Sequence, residues 1–175
     1  MRRTGRYATS CAPRAWRSHR GSMTSHSPAG SSTGLGRQNP AAAAYDAALA
    51  WWYGPDPDLL RPPPPVPILG HRDPNLTNYL WDGHRVRIVD FEDAAISDPA
   101  TELAILVEHL SARHLDTNAL LAHFDVDGRR LQAARRLWAM FWLWLLRPGG
   151  PAGHRNPPGT AGAQAQRLLN LLDTD

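Results

Sequence analysis

His71, Asp73, Asn78 and Asp90 fall within one short run, GHRDPNLTNYLWDGHRVRIVDFED, from Gly70 to Asp93. Moving a phosphoryl group to a hydroxyl asks for few protein groups. One carboxylate positions the hydroxyl and takes its proton, and oxygen ligands hold Mg²⁺ against the nucleotide phosphates. Mg²⁺ is a hard ion, so carboxylate and amide oxygens suit it better than imidazole. Asp73 stands where a loop is expected, Asn78 follows after four intervening residues, and Asp90 closes an apolar run. Between the last two lies Asp82-Gly83, a strong hairpin signal. A hairpin there brings Asn78 and Asp90 back together, as two ligands of one ion must be.

The elements that must position these groups are legible around them. PAAAAYDAALAWWYG, Pro40 to Gly54, predicts a helix from its alanines and from Tyr45, Leu49 and Trp52 at helical spacing. PDPDLLRPPPPVP predicts a rigid, extended connection that serves as a spacer, although four prolines could also engage an SH3-like partner. ILG leads into the loop, and NYLW and RVRIVDF read as the two hairpin strands. Period two puts Val86, Ile88 and Asp90 on one face, which predicts a core-facing strand ending in a carboxylate. Asp98, Pro99 and Glu102 are the cap, first position and first-turn acid of a helix with a Leu103, Leu106, Val107, Leu110 stripe. A short helix follows from Thr117 to His123, and Asp127 caps GRRLQAARRLWAMFWLWLLR. The stretch Leu137 to Leu146 is apolar on all sides but half of the ~20 residues a membrane span needs, so a buried central helix is expected. Its Trp138 and Trp142 are read as core packing. A Pro/Gly loop, Pro148 to Gly159, precedes a last amphipathic helix carrying Leu168, Leu169, Leu171 and Leu172.

At 175 residues and 42% apolar content, one core-forming domain is expected. The single cysteine, Cys11, excludes an internal disulfide and a cysteine-based zinc site, which fits a cytoplasmic setting. A net charge of +3 hides an uneven distribution: the first forty residues hold seven arginines and no acid, leaving twelve arginines against sixteen acids. Residues 1–39 therefore read as a disordered Arg/Ser/Gly-rich tail and residues 40–175 as the folded body. No apolar stretch follows Met-Arg-Arg, so a secretory signal is not expected. The tail also has the composition of an organellar transit peptide, and Met23 is a second candidate start. All nineteen basic residues are arginine; the chain has no lysine.

LGHRDPNLTNYLWDG and IVDFEDAAISDPATELA together resemble the aminoglycoside phosphotransferase and choline-kinase-like family. The first matches its His-x-Asp-x-x-x-x-Asn loop, the second its metal-Asp strand and the Asp-Pro helix that follows. The resemblance implies an α+β, mainly helical fold: the C-terminal lobe of a protein-kinase-like fold, with a small β-hairpin carrying the metal-binding Asp. It implies Asp73 as catalytic base within a His71-Arg72-Asp73 triplet, His71 bracing the loop, and Asn78 and Asp90 binding Mg²⁺ and, through it, ATP or another nucleoside triphosphate. Asp98 would anchor its helix against the catalytic loop. Arg72 stands where this branch usually has Gly, and Glu92 where protein kinases have the Gly of Asp-Phe-Gly.

That family's smaller lobe supplies a Gly-rich loop and a phosphate-pairing lysine. Neither is found here, since Gly34 and Gly36 lie in the tail with no strand ahead. The chain is therefore expected to be a truncated, weakly active or inactive phosphotransferase acting on a small-molecule hydroxyl. A cationic acceptor would want an acidic cleft, for which Glu92, Asp93 and Glu108 are candidates. Self-association through the exposed inter-lobe face is expected; membrane and nucleic-acid partners are not. Three alternatives stand beside this reading: a non-catalytic binding module, nucleic-acid association through the tail, and a hydrolytic metal site built from His71, Asp73 and Asp90.

Overall fold

The computed structural model describes residues 40–64 and 66–174. The expected tail, residues 1–39, lies outside the described residues.

Among the described residues five helices carry the fold: α1 (Pro40–Trp52), α2 (Pro99–Glu108), α3 (Thr117–Leu121), α4 (Gly128–Leu145) and α5 (Thr160–Leu172). Four three-residue strands, β1 (Ile68–Gly70), β2 (Tyr79–Trp81), β3 (Val86–Ile88) and β4 (Ala95–Ser97), form two antiparallel pairs. The molecule is thus mainly helical with two small sheets.

The all-round apolar stretch of α4 makes it the central helix, as expected. Ala139, Met140 and Leu143 pack with Ala44 and Ala48 of α1 and Ala165, Leu168 and Leu171 of α5. On its other side α4 meets α2. Burying a leucine or methionine side chain contributes about 1.5–3 kcal/mol, so this three-helix seam stabilises the fold substantially. Both central helices start where their caps predict. Asp98 accepts from the Thr101 N–H at 3.0 Å, with Pro99 at the first helical position, and Asp127 accepts from the Arg129 and Arg130 N–H groups.

Charges fasten the helices to one another. Asp98 pairs with Arg130 at 3.0 Å in the interior. Glu108, fully buried at the end of α2, meets Arg113, Arg135 of α4 and Arg167 of α5. Burial lowers the Arg113 pKa to about 10, helped by the neighbouring Arg167 and opposed by Glu108.

The Pro-rich connection departs from the extended spacer expected. Asp56–Leu60 coils into a 3₁₀ turn. Arg130 donates to the carbonyls of Leu59 (2.7 Å) and Pro62 (3.3 Å), and Arg136 pairs with Asp56 at 2.6 Å. Two arginines of α4 thus hold the connection against the body.

The hairpin departs too. Its loop is four residues, with the Asp82 N–H bonded to the Arg85 carbonyl at 3.2 Å and the Asp82 carboxylate capping the His84 and Arg85 N–H groups. Nor is β3 core-facing: Val86 and Ile88 are exposed, and the strand stops at Ile88. Asp90 does not continue its period, because φ is +65° there and the chain leaves the pleat.

Candidate active site

The loop leaving β1 is held by a close approach. A Cβ at Gly70 would meet Glu102 Oε1 at 2.2 Å and Ser97 Cβ at 2.6 Å, so only glycine fits between α2 and the end of β4. Two residues on, Arg72 has φ +65°. An L-residue pays on the order of 1–2 kcal/mol for that conformation, and long side chains adopt it less readily than Asn or Asp. The Arg72 N–H donates to Glu102 Oε2 at 3.2 Å, which fixes the turn. Its side chain is exposed and forms no ion pair among the described residues.

The anchor between helix and loop is therefore Glu102. Asp98, expected in that role, spends its oxygens on Thr101 and Arg130. Its pKa is lowered: burial works to raise it, but the bonds from Arg130 and Thr101 outweigh that. Glu102 sits one turn further along α2 and has the reach Asp98 lacks. Its Oε1 is buried without a hydrogen-bond partner among the described residues.

The loop orders His71 and Asn78 around Asp73. Oδ1 of Asp73 accepts from the Asn75 N–H at 3.3 Å, and Oδ2 accepts from Asn78 Nδ2 at 2.9 Å. Asn75 in turn caps the 3₁₀ turn Leu76–Asn78 through the Thr77 N–H. His71 reaches two carbonyl oxygens, Asp73 O through Nδ1 and Val89 O through Nε2, each at 2.7 Å. A neutral imidazole donates from one nitrogen only, so the tautomer decides which of the two carbonyls accepts from the ring. The His71 ring also stands edge-on to Phe91, centroids 4.7 Å apart. His71 thus clips the loop to the chain just before Asp90.

Asn78 and Asp90 are brought into one neighbourhood by backbone. The Val89 N–H donates to the Asn78 carbonyl at 3.0 Å, one residue before Asp90. With its amide nitrogen turned onto Asp73, Asn78 has its amide oxygen left for an ion. One amide oxygen and one carboxylate form a hard donor set suited to Mg²⁺, which usually takes one or two protein carboxylates and completes its shell with phosphates and water. No group of three His, Cys, Asp or Glu that could hold a metal occurs among the described residues. The hydrolytic alternative built on His71, Asp73 and Asp90 thus gains no support.

Two further groups feel the site. Tyr79 has its pKa raised by burial first, then by the charges of Glu102 and Asp73. His109 has its pKa lowered by burial, with Arg113 adding to the shift and Asp73 opposing it. The acids proposed for a cationic cleft divide. Glu92 and Asp93 are exposed beside Asp90, whereas Glu108 is buried among three arginines.

Glu102, read from sequence only as a first-turn acid, is the residue that bonds the loop. Its signal was present: Glu102 follows Asp98 by four, so both carboxylates share one side of the helix.

The sequence matches the phosphotransferase enzyme family, APH, over residues 7–141. That span includes the loop, the hairpin, α2 and most of α4, and it begins within the segment read from composition as a tail. The chain belongs to the phosphotransferase enzyme family. No curated protein and no solved structure matches it. Among the described residues no helix is long and apolar enough to cross a membrane.

Proposed function

We propose that the protein transfers the γ-phosphoryl group of ATP, or of another nucleoside triphosphate, to a hydroxyl of a small molecule in the cytoplasm. The observation that carries this reading is the joint arrangement at Asp73: its carboxylate is held by the Asn78 amide, while the Asn78 backbone is bonded to the residue preceding Asp90. The helical body with its two small sheets is read as the larger lobe of a kinase-like fold.

In this scheme Asp73 orients the acceptor hydroxyl and takes its proton. The hydroxyl oxygen bonds to the γ-phosphorus, the bond to the β–γ bridging oxygen breaks, and the nucleoside diphosphate leaves with that electron pair. Asn78 and Asp90 would hold Mg²⁺, which supplies charge neutralisation at the phosphates. His71 keeps the loop in register with Asp90, and Arg72 contributes the backbone turn that aims Asp73. With no lysine to pair the phosphates, the 175-residue chain by itself turns over slowly.

Nucleoside diphosphate release from ATP and Mg²⁺ across a hydroxylated acceptor panel tests this. A slow signal lowered about 100-fold or more by Asp73→Asn is expected, together with Mg²⁺-dependent nucleotide binding lost in Asp90→Ala. Turnover indifferent to Asp73 would sink the assignment. The lack of lysine also favours a second reading, a non-catalytic binding module on the same site. Nucleotide-independent small-molecule binding retained in an Asp73/Asp90 double variant, with no turnover in the parent chain, would favour that module.

A further inference from the structure

A cleft of about 520 Å³ opens beside the candidate loop, walled by Asn75, His109, Ser111, Trp142, Arg155 and Asn156 among others. That volume falls in the usual range for small-molecule sites, roughly 300–1,000 Å³. The cleft and the loop share a wall. The Asn75 N–H bonds to Asp73 Oδ1, and the Leu76 N–H donates to Ser111 Oγ at 3.1 Å. A molecule in the cleft therefore lies alongside the turn that carries Asp73. Trp142, read from sequence as core packing, is only half-buried and forms part of the wall, braced edge-on by His109 at 4.8 Å.

We propose that this cleft is the acceptor pocket and that it takes neutral or anionic ring-bearing polyols, of the kind sugars and sugar acids present, rather than amines. The proposal rests on the phosphotransferase reading. Three observations carry the charge preference. No Asp or Glu lines the cleft among the described residues, the nearest carboxylate being that of Asp73, whose charge is felt at His109 of the wall, and residues 1–39 contain none to add. Arg155, at the mouth, is exposed and forms no ion pair among the described residues; its Nε bonds only to His154. The buried acid nearest in sequence to the wall, Glu108, is already matched by three arginines. An indole face with amide and hydroxyl groups around it suits a hydroxylated ring, the apolar face of the ring stacking and its rim bonding. A single partly covered ring offers an ammonium group only about 0.5–1 kcal/mol, against the guanidinium at the entrance.

Three probes with one pyranose ring and different charges test this: D-glucuronate, D-glucose and D-glucosamine, in buffer acidic enough to charge the amine. Their dissociation constants for the full 175-residue chain would be measured by ligand-observed NMR. Glucuronate should bind roughly fivefold tighter than glucose, and glucosamine weakest. The exposed Arg155→Gln variant should reduce glucuronate to the level of glucose, and Trp142→Leu, with its fold checked by circular dichroism, should weaken all three. Glucosamine binding tightest, binding by none of the three, or an order that survives Arg155→Gln would each overturn the proposal. The expected order found without any Asp73-dependent transfer would support the cleft and count against the phosphotransfer reading alone.

Discussion

Arg72 and Glu102 are joined through the backbone N–H of one and the carboxylate of the other, 3.2 Å apart, with Arg72 held at φ +65° and Gly70 leaving no room for a Cβ beneath them. The turn that aims Asp73 is thus set by a helix thirty residues away. Gly70→Ala should lower both stability and turnover, because the added carbon must displace Glu102 and Ser97. Glu102→Ala should cost about 1–3 kcal/mol in urea unfolding. Arg72→Gly should not lower the unfolding midpoint, since glycine adopts a positive φ without the Cβ penalty. A Gly70→Ala protein as stable and active as the parent would remove Glu102 from its anchoring role.

Glu108 is the one acid among three arginines in the interior. Removing a buried counter-ion leaves uncompensated charge, at about 3–5 kcal/mol. Glu108→Gln should therefore be among the most destabilising single polar changes outside the site. Arg113→Met should cost less, because burial already disfavours that guanidinium, lowering its pKa to about 10. Chemical denaturation of the two variants gives the comparison; the reverse ranking would show that Arg113 matters more through its bonds to Gln164 and the Glu108 carbonyl.

Acid should weaken the fold in two steps, both of one sign. His109 has a lowered folded pKa, from burial and Arg113 against the pull of Asp73. The unfolded chain therefore binds that proton first, and stability falls as pH drops below about 6.5, the ordinary histidine value. Asp98 also has a lowered folded pKa, because the bonds from Arg130 and Thr101 outweigh burial. Its contribution is complete above about pH 3.9 and is lost as pH falls through the folded value. A thermal-melt series across pH checks both. His109→Gln should flatten the first step and leave the second.

Local signals carried most of the fold. The caps at Asp98 and Asp127 and the apolar stretch of α4 marked their helices because each depends on neighbours within one or two turns. What sequence could not supply were long-range partners. β4 pairs with β1 across more than twenty residues, so Ala95–Ser97 carries no hairpin signal of its own. The Pro-rich connection reads as a plain spacer because Arg130 and Arg136, which hold it, lie 71 and 80 residues from their partners. At the site, the spacing of His71, Asp73 and Asn78 was legible, and the loop does gather them. The positive φ of Asp90 was not, because period-two reasoning assumes an uninterrupted pleat.

The two sides of the site differ in how firmly they are held. Asp73 stands on a loop fixed to α2, but the ribbon leading to Asp90 is two three-residue strands with Trp81 66% and Ile88 43% exposed. Isolated two-stranded ribbons are marginal in water, and amides with little packing over them exchange their hydrogens at a low opening cost. In exchange terms the hairpin amides would be quickly labelled and those of α2 and α4 slowly. If nucleotide binds at Asp90 as proposed, it would bear the entropy of stilling that ribbon, and its affinity would understate the contacts it makes.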